Sequence, residues 1–342
     1  MVRKPHDDWI AWLAERTVFV VTSPEVWSLH GSRLEPILAQ ASRWVRLEVA
    51  EGESAKNLAH AERLWEQMLD SGGKRDSRVI ALGGGSVGDL AGFVAGCFMR
   101  GIEIAQVPTT LLAQVDSSIG GKTGINLPAA KNCVGLFCHP KWVIADTSLL
   151  TTLPREEICS GLFEVVKAGV ALDAHLFTTL EQDLDSLIDA DPAVLSSVVA
   201  EAIAAKIAVV EKDPTEEGER RLLNLGHTLG HALEARLGYR GLRHGEAVAY
   251  GMLFAVRLAS KRALTREDRL RIEGLIARFD LPELPRLDAA GLLASMRLDK
   301  KNREVAMAWV LPAEIGRAEI YADIAESEVG EELHRFLSGP SV

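Results

Sequence analysis

Along the first 150 residues, short apolar runs alternate with stretches in which apolar positions recur every three or four residues. Thr17–Thr22, Trp44–Val49, Val79–Leu82, Ile104–Val107 and Trp142–Ala145 are four to six residues long, are built largely from apolar side chains and read as strands. Between them lie helix-period stretches such as LAHAERLWEQML at 58–69. Apolar strands separated by helical segments predict a parallel sheet flanked by helices. After Thr151 the texture changes to long amphipathic helices, at 156–171, 192–212, 223–237, 245–262 and 266–278. The one strand signal in this half is a hairpin-like pair, MAWVLP and AEIYADI, joined by 313–317. The pattern therefore predicts an α/β domain over 1–150 and a mainly α-helical domain over 151–342.

Composition narrows the function by exclusion. With 342 residues, 47% of them hydrophobic, the chain is long enough for two cores. A net charge of −10 argues against broad binding to nucleic acid or an anionic membrane, so any important Lys or Arg acts locally in a pocket. The opening MVRKPHDDWIAWLAERT has no long apolar core, and no stretch reaches eighteen uninterrupted apolar residues. A cytoplasmic protein is expected. Cys97, Cys133, Cys138 and Cys159 lack CxxC pairing and disulfide-scaffold density, and read as reduced, mostly packing residues. A metal pair at Cys133 and Cys138 is the alternative for those two.

Two stretches of the first half carry candidate chemistry. RVIALGGGSVGDLAGFVAG runs from an apolar strand through Gly83, Gly84, Gly85 and Gly88 into a small-residue helix, the layout in which backbone N–H groups and a helix N-terminus hold a pyrophosphate. The familiar dinucleotide fingerprint sits on a first strand, with an acid about twenty residues later at the end of the second. Here the glycines follow the third strand, and Glu103 begins a strand instead of ending one. A nucleotide loop of another α/β arrangement is expected. The second stretch, Pro108–Asn132, is polar and glycine-rich, and reads as a long functional loop carrying Asp116, Lys122, Asn126, Lys131 and Asn132. Its GGKTG lacks the spacing of a Walker A motif, which excludes a P-loop NTPase.

In the second half, RLLNLGHTLGHALEARLGYRGLRHGE crowds three of the nine histidines, His227, His231 and His244, into eighteen positions. GLFEVVKAG lies about sixty residues upstream. Imidazoles with one carboxylate form a zinc-like ligand set with room for a substrate oxygen. His227 and His231 are four apart and share a helix face, so helix geometry alone nominates both as ligands, with His244 and Glu164 as further candidates.

These motifs, GGGSVGDLAGFVAGCFMRG, VPTTLLAQVDSSIGGKTGIN, KN at 131–132, GLFEVVKAG, LLNLGHTLGHALE and HGEAVAYGM, resemble those of the 3-dehydroquinate synthase family, in order and over nearly the whole chain. The resemblance implies the two-domain fold shared with glycerol dehydrogenase-like enzymes, NAD, one divalent metal (Zn or Co) and a homodimer. It implies conversion of 3-deoxy-D-arabino-heptulosonate 7-phosphate to 3-dehydroquinate and phosphate. It names Glu164, His227 and His244 as metal ligands and leaves His231 as a substrate-side or proton-transfer residue. It gives the anionic substrate Lys122, Lys167, Lys206, Arg220, one of Lys300 and Lys301, and Arg100, the last reaching across the dimer interface. Asp116, Asn132 and Asn224 would hold hydroxyls and the carboxylate. Cofactor contacts would come from Gly84, Gly85, Ser86, Asp89, Thr109, Thr110, Lys131, Thr152 and Ser160, with Glu53 and Lys56 near the adenosine end. Glu216 matches a proton-transfer position, although its neighbour Glu217 competes for the equivalence and charge runs are usually solvated surface.

The chain departs from the family pattern at Phe163, where a small residue is usual, and at Ala168, where an aromatic is usual. TSPEVWSLHG also lacks the Asp and Asn often used toward the adenosine ribose, leaving Ser23 and Glu25 in their place. An aminodehydroquinate-type cyclase and a metal-dependent polyol dehydrogenase are the rival readings, with a non-catalytic metal-binding protein behind them. A polyol dehydrogenase has no use for many cations converging on an anion, and a mere metal binder has no use for a nucleotide loop.

Overall fold

The computed structural model describes residues 6–128, 130–300 and 308–339. The chain forms two compact units, Met1–Pro154 and Arg155–Val342. The first contains, in order, α1 (His6–Leu13), β1 (Thr17–Thr22), α2 (Pro24–Leu38), β2 (Arg43–Glu48), α3 (Leu58–Asp70), β3 (Arg78–Gly83), α4 (Gly85–Cys97), β4 (Glu103–Pro108), β5 (Lys122–Leu127), β6 (Ala130–Phe137) and β7 (Trp142–Val143). The second contains α5 (Arg155–Ala171), α6 (Ala174–Ile188), α7 (Pro192–Lys212), α8 (His227–Arg236), α9 (His244–Ala259), α10 (Arg266–Ala277), α11 (Ala289–Lys300), β8 (Trp309–Glu314), β9 (Arg317–Tyr321) and α12 (Glu326–Ser338).

In the first unit β2-β1-β3-β4-β7 form one sheet, every neighbouring pair parallel. Alternation of side chains along each strand divides the core. Phe19, Val21, Val79 and Ala81 face Leu64, Met68, Leu90 and Val94 of α3 and α4. Val18, Val20, Ile80 and Leu82 face Trp9, Leu13, Leu34 and Leu38 of α1 and α2. Two helices of this unit start where a side chain satisfies a first-turn N–H group: Asn57 Oδ1 accepts from the His60 amide at 2.9 Å at the start of α3, and Ser23 caps α2 with Pro24 behind it. The sheet and its helical layers match the predicted α/β class.

One expectation fails here. Pro108–Asn132 is not a long loop: a π-helical turn at Ala113–Ser117 leads into the antiparallel hairpin of β5 and β6. Glycine explains both the hairpin and the misreading. Gly124 and Gly135 face each other across it, and a Cβ on Gly135 would lie 2.2 Å from the Thr123 carbonyl oxygen, so the strands carry glycine where strand patterns expect side chains.

The second unit is mainly helical, with the β8–β9 hairpin where the sequence placed it. Its central helices are buried on nearly all sides: α5 at every position from Ser160 to Ala171, the charged Glu164 and Lys167 included, and α9 over most of its length. α6, which the pattern above does not single out, buries the helical stripe Leu176, Leu180, Leu184 and Leu187 behind an Asp173 cap. α11 and α12 likewise lie outside the predicted helices. Among the described residues one helix, α7, is long and apolar enough to cross a membrane. Its buried positions, Leu195, Val198, Val199, Ala202, Lys206, Val209 and Val210, form the single stripe of a helix packed on a core, and α7 packs on α5 and α6.

Candidate metal centre and active-site residues

The predicted helix over 223–237 is broken, and the break builds the site. Residues Glu219–Asn224 form a 3₁₀ turn, Gly226 takes φ +79°, and α8 begins only at His227. Glycine is required at 226 twice over: its backbone is left-handed, and a Cβ would meet the Val248 carbonyl oxygen of α9 at 2.7 Å. The turn lets the Leu225 carbonyl oxygen accept from His227 Nδ1 at 3.2 Å. His244 opens α9, where Gly245 passes so near α5 that a Cβ would lie 2.0 Å from the Ser160 carbonyl oxygen. Ser160 Oγ accepts the Gly245 amide at 3.2 Å. These close crossings fix both histidines beside Glu164 of α5.

Glu164, His227 and His244 offer one ligand atom each, all within 4.8 Å of one another. Nε2 of His244 lies 3.4 Å, and Nε2 of His227 3.8 Å, from Glu164 Oε1. The Nδ1 atoms face acceptors elsewhere, Leu225 O for His227 and Glu234 Oε2 at 3.4 Å for His244. With each Nδ1 carrying the proton, both Nε2 lone pairs point to the space beside Glu164, the donor geometry of a two-histidine, one-carboxylate metal site. Of the two arrangements left open by helix geometry, the ring of His231 lies on the same face of α8, its centroid 5.2 Å from that of His227, but outside the ligand group.

The charges explain why these groups tolerate burial. Burial opposes ionisation of Glu164, but the Lys167 ammonium in contact with it, aided by the two imidazoles, holds its carboxyl well below the usual carboxylate range. Burial and Lys167 push the His227 imidazole down to about 3 against the pull of Glu164, so it is neutral and ready to bind a metal. Burial acts downward on His244 too, yet hydrogen bonds to Glu164 and Glu234 raise it to about 10. A metal would displace that proton, since ligating imidazole must be neutral. Clusters of this kind are expensive to bury and gather at functional sites.

Three cations predicted for the substrate, Lys167, Lys206 and Arg220, are buried in this unit. They lie on α5, α7 and the 219–224 turn, and both α7 and the turn pack on α5. Arg220 Nη1 donates to the Pro214 carbonyl oxygen at 2.5 Å, and Asp213 Oδ2 anchors the turn by accepting the Gly218 and Arg220 amides. Glu216 is buried with φ +63°, and Asn224 Nδ2 donates to its Oε1 at 2.5 Å. Glu217 is exposed. The charge run is thus a solvated surface at Glu217 and not at Glu216. Lys300 closes α11, and Lys301 lies outside the described residues.

In the first unit the glycine loop connects β3 to α4. Gly84 is the N-cap of α4 and no side chain caps the helix, so its first N–H groups are left for an anion. Close packing also demands the glycines: a Cβ on Gly85 would lie 2.8 Å from Ser117 Oγ, and one on Gly84 3.0 Å from Thr110 Cγ2. Thr109 is buried, its amide bonded to the Gly83 carbonyl, while Thr110 Oγ1 accepts from the Ala113 amide. Asp89 sits in the second turn of α4. Fully buried Lys56 donates to Asp89 Oδ2 and Asn132 Oδ1, both at 2.6 Å, and Glu53 accepts from Ser86 Oγ and Asn126 Nδ2. Burial pushes the Asp89 carboxyl up even against Lys56. One hydrogen-bonded cluster therefore joins Glu53, Lys56, Ser86 and Asp89, expected at the cofactor, to Asn132, expected at the substrate. Asp116 and Lys131 are half-buried, and Lys122 is exposed at the start of β5. Arg100 is exposed in a turn where Met99 and Arg100 both have positive φ. Thr152 Oγ1 pairs with His30 Nε2 at 3.1 Å.

The cysteines are unpaired, as expected, but they are less buried than packing residues. All four are free thiols, Cys97 and Cys133 are exposed, and Cys138 and Cys159 are half-buried, so none is wholly a packing residue. Cys133 lies on β6 and Cys138 just past its end, and among the described residues neither joins a group of potential metal ligands, which gives the paired-ligand alternative no support. The residue that the sequence reading missed is Glu234. Its signal was available: 227, 231 and 234 are i, i+4 and i+7 on one helix face.

The chain resembles known proteins over most of its length. Residues 46–160 match the family profile described as 3-dehydroquinate synthase N-terminal, and 161–302 match 3-dehydroquinate synthase C-terminal. The 3-dehydroquinate synthase of Shewanella loihica is 41% identical over 96% of this chain and 93% of its own length. Among solved structures, 2-epi-5-epi-valiolone synthase from Streptomyces hygroscopicus subsp. jinggangensis, with NAD+ and Zn2+ bound, superposes with a TM-score of 0.88 at 27% identity, covering 98% of this chain and 93% of that one. A 2-deoxy-scyllo-inosose synthase complexed with carbaglucose-6-phosphate, NAD+ and Co2+ gives 0.85 at 28% identity, covering 94% and 91%. With profiles matched in tandem and a relative this similar over nearly its full length, the chain belongs to the 3-dehydroquinate synthase family.

Proposed function

We propose that this enzyme is a 3-dehydroquinate synthase, a phosphate-eliminating carbon–oxygen lyase that converts 3-deoxy-D-arabino-heptulosonate 7-phosphate to 3-dehydroquinate and phosphate. It would serve the shikimate route to aromatic amino acids in the cytoplasm, as a homodimer, with NAD and one Zn or Co ion. The observation that carries this reading is the burial of Lys167, Lys206 and Arg220 on elements packed around the helix that bears Glu164. Three buried cations beside a metal-ligand set suit a substrate with a phosphate and a carboxylate, and have no task with an uncharged polyol.

The residues fit both bound groups. Glu164, His227 and His244 would hold the metal; Gly84, Gly85 and the uncapped start of α4 would take the pyrophosphate, with Ser86, Thr109, Thr110, Lys131, Thr152 and Ser160 as further cofactor contacts. When bound, NAD supplies reversible oxidation of a ring hydroxyl and the metal supplies Lewis acidity at that oxygen. The chain's own groups do the rest. Arg220, Lys206 and Lys167 hold the anionic ends, joined by Lys122, by Lys300 or Lys301, and by Arg100 of a second subunit. Asp116, Asn132 and Asn224 orient hydroxyls and the carboxylate. His231, one helical turn from His227, and Glu216, held by Asn224, move protons on the substrate side.

Purified protein given the heptulosonate phosphate and NAD should release phosphate while the nicotinamide absorbance at steady state stays level. Net NADH without phosphate would identify a polyol dehydrogenase instead, and neither product would leave a binding protein.

A further inference from the structure

The two histidines that face Glu164 are held from behind by different groups. His227 Nδ1 meets a backbone carbonyl, that of Leu225, whose position is fixed by the turn at Gly226. His244 Nδ1 meets a side chain, Glu234 Oε2 at 3.4 Å, from a neighbouring helix. Glu234 is itself largely shielded, and it lies on the face of α8 that carries His227 and His231. The helix thus presents one residue toward the metal position and, seven residues on, a second that reaches the back of the other histidine. His244 needs such a brace more than His227 does. It is the first residue of α9, its Nδ1 contact is to the Glu234 side chain and not to a backbone carbonyl held by a turn, and its side chain is about twice as exposed, at 29% against 13%.

We infer that Glu234 is a positioning residue of the metal centre: its carboxylate accepts a hydrogen bond from His244 Nδ1–H, fixes the ring's tautomer and orientation, and keeps Nε2 aimed beside Glu164. A carboxylate behind a ligating imidazole also makes it a stronger donor, and losing such a partner commonly weakens metal binding by about 10–100-fold. The inference rests on Glu164, His227 and His244 being the ligands.

The test compares wild type, Glu234→Gln and Glu234→Ala by zinc competition against a chromogenic chelator, and by the visible spectrum of the Co(II)-loaded proteins. Glu234→Ala should bind zinc about 10–100-fold more weakly and change the position or intensity of the Co(II) bands. Glu234→Gln keeps the volume and an acceptor oxygen, so it should fold and fall between the two. Zinc affinity within twofold of wild type in both variants, with an unaltered Co(II) spectrum, would overturn the positioning role while leaving the ligand assignment intact. A His244→Ala protein that still binds zinc like wild type would instead overturn the ligand assignment and the inference with it.

Discussion

The end of β3 in the first unit and the surroundings of α5 in the second solve the problem of holding charged groups in opposite ways. At the end of β3 the first unit uses backbone: glycines bring the chain close to Thr110 and Ser117, and an uncapped helix start offers N–H groups with no charged side chain. Around α5 the second unit uses side chains, burying Glu164, Lys167, Lys206 and Arg220 where each would be costly alone. The difference is one of partners. A helix terminus supplies partial charge that already exists in the fold, whereas a buried ammonium or carboxylate needs opposite charge beside it, from the protein or from what binds. Substitutions in the two places should therefore separate cofactor binding from metal and substrate binding.

The sharpest break is His227→Ala. It would remove one of the three proposed ligands and should abolish stoichiometric zinc, lower kcat by at least ~10³-fold and leave NAD affinity unchanged, read by metal analysis alongside nucleotide titration. His231→Ala belongs beside it as the contrast, keeping the metal and losing rate. Equal metal loss in the two variants would restore the ligand pair that helix geometry alone suggests.

Arg220→Ala should come next. Its guanidinium is buried and assigned to an anionic group of the substrate, so kcat/KM should drop by about 10²-fold, with zinc content and NAD affinity retained. A variant that turned over normally at saturating NAD but bound the nucleotide poorly would move Arg220 from substrate to cofactor.

The smallest effect is expected from Gly85→Ala in the first unit. The new methyl would stand 2.8 Å from Ser117 Oγ, a flexible end that can give way, so NAD should bind about tenfold more weakly, roughly 1.4 kcal/mol, while zinc binding is untouched. Unchanged NAD affinity would mean that the glycine serves packing alone. Loss of zinc in this variant would collapse the distinction between the two units.

The same contrast decides what could be read in advance. The strands of the five-stranded sheet and the long helices α5, α7, α9 and α10 follow from apolar patterning: β1, α5 and α9 are buried along most of their length, and α7 and α10 bury a helical stripe. The β5–β6 hairpin escaped because its close strand contacts replace side chains with glycine, which carries no period. The early end of the helix predicted at 223 escaped because Gly226 acts through α9, more than twenty residues away in sequence. Among site residues, the motif around 227–244 pointed to the metal set, but spacing alone put His231 ahead of His244 as the second histidine ligand. Separating them needed the orientation of Nε2 toward Glu164, which only the packing of α8 and α9 on α5 supplies. Glu216 was obscured by its charged neighbours, and its burial depends on the turn held by Asp213.

The central claim, that α5, α8 and α9 converge on one metal, is tested most directly by anomalous diffraction from crystals of the zinc-loaded protein at the zinc edge. The account predicts a single strong peak at about 2.0–2.2 Å from a Glu164 oxygen and from Nε2 of both His227 and His244, with His231 outside the coordination sphere. A peak bound by His227 and His231, or none near Glu164, would contradict it.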